Sequence, residues 1–403
     1  MKDTIRKFAE EHLFEDTSKL LLSANRHPEI DMVAAVQQIE GKRAAKEKWP
    51  TLFDSTGYEY PPRINREQSS SEATARHKSA IASTLVKNQQ QIQIADLTGG
   101  MGIDSMALAH LNNGIQCKTH YIEHDSELCS LMERNTQALG IKNIETHNED
   151  CIKWIKESAT TFDIIYIDPA RRDTNGKKVS AFEDCSPNIL ANLETLRSFS
   201  TWIMVKASPM IDITLAEKQL QSVVQIHIVA VHGECKEVLF VCGDKKSETE
   251  IYCTDLGHTT KTIQFTRSQE SQSQAIYCDG TMGRFIYEPN ASIMKGSPYK
   301  LMSTTNKIAI LDRNTHLYTS DDLIPDFPGR IFEIEKQISL NKKHIIKELP
   351  NRKAHVISRN HPMTAEEIRR QTSIKEGGDK FIIATTVHHT HQAFLCSRKD
   401  LLL

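Results

Sequence analysis

The chain has 403 residues, 39% hydrophobic and 25% charged, with a formal net charge of −2. This length supports two or three domains with proper cores, and the charge balance excludes a globally basic nucleic-acid binder. Nine cysteines without a C-x-x-C pair exclude the usual metal-site spacing and argue against a disulfide framework. The opening MKDTIRKFAEEHLF is charged and amphipathic, with no signal-type apolar core, and no apolar run approaches a membrane span. A reducing cytoplasmic compartment is the expectation. Charge is uneven. From Arg330 to Leu403 there are 14 Lys and Arg against 8 Asp and Glu, a net of +6, which leaves −8 on the rest. A basic tail on an acidic body is either a polyanion-docking module or chance.

Residues 1–69 read as a helical region, with apolar positions at Leu20, Leu21, Leu22, Met32, Val33, Val36 and Ile39 among charged neighbours. PPRINREQSSSEATARHK predicts an extended Pro-Pro start and a polar Ser cluster. A helix from about Ser71 to Leu85 follows, with Glu72 in its first turn. After Gln90 the texture alternates. QIQIADL, KTHYIE, IETHNED, DIIYID and TWIMVKASP read as strands, and DSMALAHLN, SELCSLMERNTQALG and ILANLETLRSF as helices. That alternation predicts an α/β fold with a parallel, Rossmann-like doubly wound sheet. VVQIHIVAVHGECKEVLFVCG places two strands around Gly233 with no helix between them, so the sheet should end in an antiparallel β-hairpin. Further on, SETEIYCTDL and KTIQFTR read as strands, SQESQSQAI as a linker, and IYEPNASIMKG, KIAILDRNTHLYTS and RIFEIEKQI as a small α+β unit. The last segment reads as strand AHVISRN, helix MTAEEIRRQT capped by Thr364 with Glu367 three residues on, and strand KFIIATTV.

IADLTGGMGIDS lies between the first strand and its helix and contains Gly100-x-Gly102-x-x-Ser105. Glycines there let a ligand approach the backbone. The carboxylate Asp96 at the strand end suits a cofactor carrying an ammonium and repels a diphosphate, by an amount on the order of a few kcal/mol in a partly buried site. S-adenosylmethionine (SAM), with a sulfonium and no phosphate, is favoured over NAD. Glu123, 21 residues after Gly102, is placed to accept from ribose hydroxyls, and Asp150 to face the adenine amine. Four successive strands therefore end in acids: Asp96, Glu123, Asp150 and Asp168. In DIIYIDPARRD, Pro169 ends the ladder and puts Asp168 at the carboxyl end of a central strand, where open α/β sheets carry ligands. A solvated turn with a capping Asp and two surface arginines is the alternative for that segment alone.

DLTGGMG, YIEHD, NED and IDPA resemble motifs I to IV of class I SAM-dependent methyltransferases, over roughly residues 70–243. More closely, QSSSEATARHK, DLTGGMGIDS, DPARRD, VKASPM, YEPNASIMKG and SRNHPMTAEEIRR resemble a group of bacterial candidate methyltransferases typified in Bacteroidetes, with a ferredoxin-like insert and a C-terminal THUMP-like domain. The resemblance implies an N-terminal helical region 1–69, a methyltransferase domain 70–243, a ferredoxin-like α+β domain 244–328 and a THUMP-like βαβ domain 329–403. It implies SAM binding by Asp96, Thr98, Gly100, Gly102, Glu123 and Asp150, with the segment around Ser70 and Glu72 closing over the methionine part. For those two residues a polar helix start is the alternative.

Base amino-methyltransferases usually carry Asp/Asn-Pro-Pro and an aromatic that stacks on the base. Here Ala170 and Arg171 stand in those places. Asp168 and the Pro169 carbonyl suit acceptance of two N–H bonds from an exocyclic amine. Arg171 or Arg172 suits stacking on an unpaired base or binding phosphate, and pairing with Asp173 or Glu183 is the alternative. Lys206 faces the same cleft or ends its strand in solvent. Cysteine-dependent chemistry would fall to Cys185 or Cys235. HHTHQ reads as a histidine-rich surface strand whose alternation separates His388 from His389, and no metal is expected. The reading is a SAM-dependent methyltransferase acting on a nucleobase nitrogen in rRNA or tRNA, with Arg359, Arg369, Arg370 and Lys375 of the basic C-terminal domain delivering the RNA. The alternatives are a non-catalytic SAM-binding RNA-binding protein and an NAD-dependent oxidoreductase.

Overall fold

The computed structural model describes residues 3–111, 114–171, 182, 185–244, 246–257 and 259–399. The chain divides into two compact units, residues 1–226 with 237–247 and residues 227–236 with 248–403.

The first unit opens with helices α1 (Asp3–Glu11), α2 (Thr17–Leu22), α3 (Met32–Lys48), α4 (Pro50–Asp54), α5 (Arg63–Gln68) and α6 (Glu72–Leu85). Asp16, Asp31 and Ser71 cap α2, α3 and α6 by accepting from first-turn N–H groups. The Pro61-Pro62 start and the Ser69–Ser71 cluster are non-helical as expected, and the short α5 between them is an addition. Local propensity for so short a helix is weak, and tertiary bonds hold it. Arg66 is 5% exposed and donates from Nη1 to Gln37 O at 2.9 Å, while Lys48 Nζ donates to Arg66 O at 2.6 Å.

Strands and helices then alternate: β1 (Gln91–Asp96), α7 (Ile103–Leu108), β2 (Gln116–Glu123), α8 (Ser126–Leu139), β3 (Ile144–Asn148), α9 (Cys151–Glu157) and β4 (Phe162–Ile167). A two-stranded ribbon of β5 (Ala170–Arg171) and β6 (Cys185–Ser186) precedes α10 (Ile189–Phe199), β7 (Ser200–Ala207), α11 (Ile213–Leu220), β8 (Val223–Val231) and β9 (Glu234–Cys242). Over the strands named so far the order is β8-β9-β7-β4-β1-β2-β3. β3, β2, β1, β4 and β7 are parallel, and β9 enters antiparallel to β7. The doubly wound parallel sheet followed by an antiparallel strand is thus as expected. The helix α11, capped by Asp212, is an addition to the elements read from the sequence. Ile164, Ile165, Tyr166 and Ile167 are at most 1% exposed, as a central strand covered on both faces requires. Strand order reverses between β1 and β4, which makes their carboxyl ends the crevice of the sheet. Trp49, Tyr58 and Tyr60 of the helical region share a core with Met101, Ile103, Tyr121 and Met132, so that region braces the turn after β1.

In the second unit β10 (Glu250–Leu256) and β11 (Thr260–Thr266) pair antiparallel. The first part of the expected linker is helix α12 (Arg267–Gln272), opened by a Thr266–Gln269 capping box, and residues 273–276 carry no regular structure. Then come β12 (Phe285–Pro289), α13 (Ala291–Gly296), α14 (Tyr299–Asn306), β13 (Ala309–Asp312), β14 (Thr315–Ser320), β15 (Gly329–Ile338), α15 (Lys342–Glu348), β16 (His355–Arg359), α16 (Ala365–Thr372), β17 (Lys380–Val387) and β18 (Thr390–Arg398). β12 to β18 form one sheet in the order β13-β14-β12-β15-β18-β17-β16. β16 and β17 are parallel, joined across α16, whose Thr364–Glu367 capping box is as read. His388 and His389 do not lie on a strand. Both have positive φ, 41° and 67°, and form the two-residue turn of the β17–β18 hairpin.

Candidate functional site

The β1–β4 crevice places Asp96 beside Tyr166 in register, with Asp168 just beyond β4. Asp96 is 1% exposed. Its Oδ1 accepts from Thr98 N at 3.0 Å and its Oδ2 from Ser105 Oγ. Burial pushes its carboxyl up to about 7, against the pull of those donors. Thr98 Oγ1 accepts from the Asp168 amide at 2.7 Å, so one side chain fastens the two strand ends together.

The glycine turn is held from β2. Gly100 N donates to Glu123 Oε2 at 2.9 Å, and Tyr121 Oη donates to Gly100 O at 2.6 Å. Glu123 Oε1 accepts from Asp125 N at 3.0 Å. Oε1 also stands 2.8 Å from His124 Nδ1, so Oε2, which accepts from Gly100 N, is the oxygen with an acceptor site left for a hydroxyl. Gly100 and Gly102 both have positive φ, 53° and 79°. A Cβ on Gly102 would stand 2.5 Å from Met132 Sδ, whereas one on Gly100 would meet nothing nearer than Thr98 O at 3.8 Å and would fill the space over the turn. Asp150 does not end β3. It stands two residues beyond, is exposed, and its Oδ1 caps α9 by accepting from Lys153 N at 2.8 Å.

Beyond β4, Asp168 Oδ2 accepts from Lys206 Nζ. Ile167 pairs with Val205, so this contact joins the next residues on two parallel strands. The Asp168 side chain is 30% exposed and Lys206 15%, so Lys206 is a part-buried partner of Asp168 rather than a solvated strand end. Burial raises the Asp168 carboxyl even though Lys206 pulls it down. The Lys206 ammonium is raised by Asp168 and Glu237 in spite of its own desolvation. Pro169 is buried, and Arg171 pairs with Cys185 in the ribbon. The Arg171 side chain, Arg172, Asp173 and Glu183 lie outside the described residues. Cys185 is buried, 8% exposed.

Below this crevice lies a charged cluster that the sequence reading missed. Lys78 of α6 is 0% exposed. Its Nζ donates to Glu237 at 2.8 and 2.9 Å and to Ser70 Oγ at 2.9 Å, and it stands 3.1 Å from Asp104 Oδ1. Asp104 Oδ2 accepts from Ser70 Oγ at 2.7 Å and from Tyr166 Oη at 2.9 Å. Ser70 is therefore built into this cluster rather than closing over a ligand. Glu72 is spent elsewhere, accepting from Thr51 N and Oγ1 at 2.9 and 2.6 Å. A sequence signal existed. Lys78 falls in phase with Ala75 and Ala82 on the buried face of α6, and Glu237 in phase with buried Leu239 and Val241 on β9.

Elsewhere in the first unit His120 Nδ1 and His147 Nε2 face each other at 3.0 Å with ring planes 19° apart. Glu145 stands 3.8 Å from each nitrogen and 2.6 Å from Lys118 Nζ. Nearly parallel rings at that separation share a hydrogen bond. In the second unit two of the expected RNA-facing arginines are paired. Arg359 donates to Glu288 at 3.0 Å and Arg369 to Glu376 at 2.6 Å. Arg370 and Lys375 are exposed.

Three family models match the chain: THUMP domain-like over residues 329–398, ferredoxin-like domain over 285–328, and protein-L-isoaspartate(D-aspartate) O-methyltransferase over 21–179. Among solved structures, that of a candidate methyltransferase from Porphyromonas gingivalis W83 is 28% identical, with a TM-score of 0.82, over 98% of this chain and 97% of that one. A candidate class I SAM-dependent methyltransferase from Listeria monocytogenes is 10% identical, with a TM-score of 0.37, over 60% and 90%. A type I restriction-modification methyltransferase subunit from Streptococcus thermophilus is 16% identical, with a TM-score of 0.35, over 56% and 52%. The last two carry no weight at those scores. A search of curated proteins found no match. The protein has a methyltransferase fold with ferredoxin-like and THUMP-like regions after it, and the resemblance expected from the motifs is borne out. Among the described residues no helix is long and apolar enough to cross a membrane.

Proposed function

We propose that the protein is a cytoplasmic methyltransferase that uses SAM to methylate a neutral nucleobase nitrogen in RNA, from rRNA or tRNA. The observation that carries this reading is the junction of Asp96, Thr98 and Asp168 beside the glycine turn, at the point where strand order reverses. The donor set fits the cofactor. Asp96 and Glu123 lie at the ends of β1 and β2 with Asp150 beyond β3, a rim that attracts a sulfonium and an ammonium and repels a diphosphate. The open space at Gly100 is where a ligand would lie against the backbone. Glu123 would hold the ribose hydroxyls and Asp150 the adenine amine.

Bound there, SAM supplies an electrophilic methyl group. The chain's own residues orient the acceptor. Asp168 and the Pro169 carbonyl accept two N–H bonds of an exocyclic amine and aim its lone pair. Arg171, just after them in the chain, would stack on the base or hold its phosphate. The isoaspartate model brings carboxylate methylation as a rival chemistry. A carboxylate brings no N–H to the Asp168 and Pro169 acceptors, which favours a neutral nitrogen that bears hydrogens. RNA is supported by the THUMP-like match and by the net positive charge of residues 330–403.

Mass spectrometry of nucleosides from rRNA and tRNA of a deletion strain tests this. One missing methylated nucleoside is expected, and persistence of them all overturns the RNA assignment. Calorimetric titration with SAM and with NAD tests the cofactor, and heat from NAD alone removes the methyl-transfer reading.

A further inference from the structure

Lys206 brings a positive charge to the end of β4 from the neighbouring strand β7. Its Nζ donates to Asp168 Oδ2, and both side chains are part-buried. The groups facing this pair come from every element packed around it: Asp96 at the end of β1, Asp104 in the first turn of α7, Lys78 on α6, Tyr166 on β4 and Glu237 on β9. Four acids thus surround two lysines. Lys78 is committed to Glu237, Ser70 and Asp104. Asp168 would otherwise be a desolvated carboxyl facing two like charges, a setting that keeps the proton on. A protonated carboxyl keeps one acceptor oxygen but loses the charge that makes it a strong one, and so holds an amine less firmly.

We propose that Lys206 is a positioning residue that keeps Asp168 ionised and occupies Oδ2, so that Oδ1 and the Pro169 carbonyl face the substrate as a pair of acceptors. This rests on the methyl-transfer reading above and narrows its substrate class. The pair takes a neutral amino group bearing two N–H bonds. It offers little to an ammonium or guanidinium, because the negative charge of Asp168 is already balanced. The amine lone pair forms the new C–N bond while the C–S bond of SAM breaks towards sulfur, and the proton released from nitrogen passes to Asp168 or to water.

The first test needs no substrate. Protein labelled with 13C at the aspartate carboxyl carbons is titrated by NMR, with Asp168→Asn identifying the Asp168 signal. Lys206→Met should move the Asp168 midpoint to higher pH, and Lys206→Arg should leave it near that of the unaltered protein. Equal midpoints in all three overturn the inference, and the Arg variant keeps the comparison alive if the Met variant folds poorly. The second test measures transfer from radiolabelled SAM to RNA from the deletion strain as a function of pH. Lys206→Met should lose about tenfold at neutral pH and recover as pH rises, with SAM affinity unchanged. A loss by one factor at all pH values indicates a merely structural role and overturns the inference. If the unaltered protein transfers nothing to RNA while the midpoints separate, it is the RNA reading that fails.

Discussion

Thr98 Oγ1 accepts the backbone N–H of Asp168 at 2.7 Å, and so the turn after β1 and the end of β4 are one rigid piece. The first carries the proposed cofactor contacts and the second the proposed acceptor contacts. Removing the hydroxyl leaves a buried N–H without its partner, at a cost of about 1–3 kcal/mol. Thr98→Val should therefore lower the urea midpoint and reduce methyl transfer by at least tenfold, with a smaller loss of SAM affinity. Transfer and affinity falling by the same factor would argue against the coupling.

Asp96 has a pH signature. Its folded-state carboxyl is raised to about 7 by burial, above its unfolded value near 4. The folded chain binds the extra proton between those values, so stability from this group is present below about pH 4 and lost as pH rises through about 7. Urea unfolding of Asp96→Asn should lack that decline. A cation bound beside Asp96 favours its ionised form, so SAM binding near neutral pH should release a proton. Calorimetry in buffers of different ionisation enthalpy reads that release directly.

The glycines of the turn separate two effects. Alanine at either position pays about 1–2 kcal/mol for the left-handed backbone. Gly102→Ala also drives a Cβ to 2.5 Å from Met132 Sδ and should chiefly destabilise the fold. Gly100→Ala meets nothing so close, and its methyl enters the space over the turn. It should keep a folded protein whose SAM affinity is about tenfold weaker, by calorimetry alongside thermal unfolding.

Lys78 is enclosed by its partners, and removing it leaves Glu237 buried without a cation. Lys78→Met should destabilise by about 3–5 kcal/mol, and the double variant Lys78→Met with Glu237→Leu should recover much of that. Chemical denaturation of the three proteins gives the comparison.

In the second unit Arg359 and Arg369 already have carboxylate partners, while Arg370 and Lys375 are exposed. Arg370→Ala and Lys375→Ala should each weaken binding to unmodified RNA and lower the salt slope by about 1. Arg369→Ala should alter it less. Fluorescence titration at several salt concentrations checks this.

Much of the candidate site's framework was legible because strand ends announce themselves. DIIYID followed by Pro169 marks where the ladder must stop, and the spacing from Gly102 to Glu123 counts one helix and one strand. Ser70, Lys78, Asp104 and Glu237 were not, since polar residues spaced over about 170 positions give no local sign that they meet. The helix α5 and the His388–His389 turn were missed for a related reason. Bonds from Arg66 and Lys48 hold the one, and hairpin register fixes the other.

The sequence by itself determined the alternation of elements, the reversed last strand and the acids at the strand ends, because period, proline and glycine act within a few residues. Only the tertiary structure decided which charges are spent on one another. It put Lys206 against Asp168, Lys78 beneath Tyr166, and Arg359 onto Glu288, since desolvation and Coulomb energy depend on distance through space and not on separation along the chain.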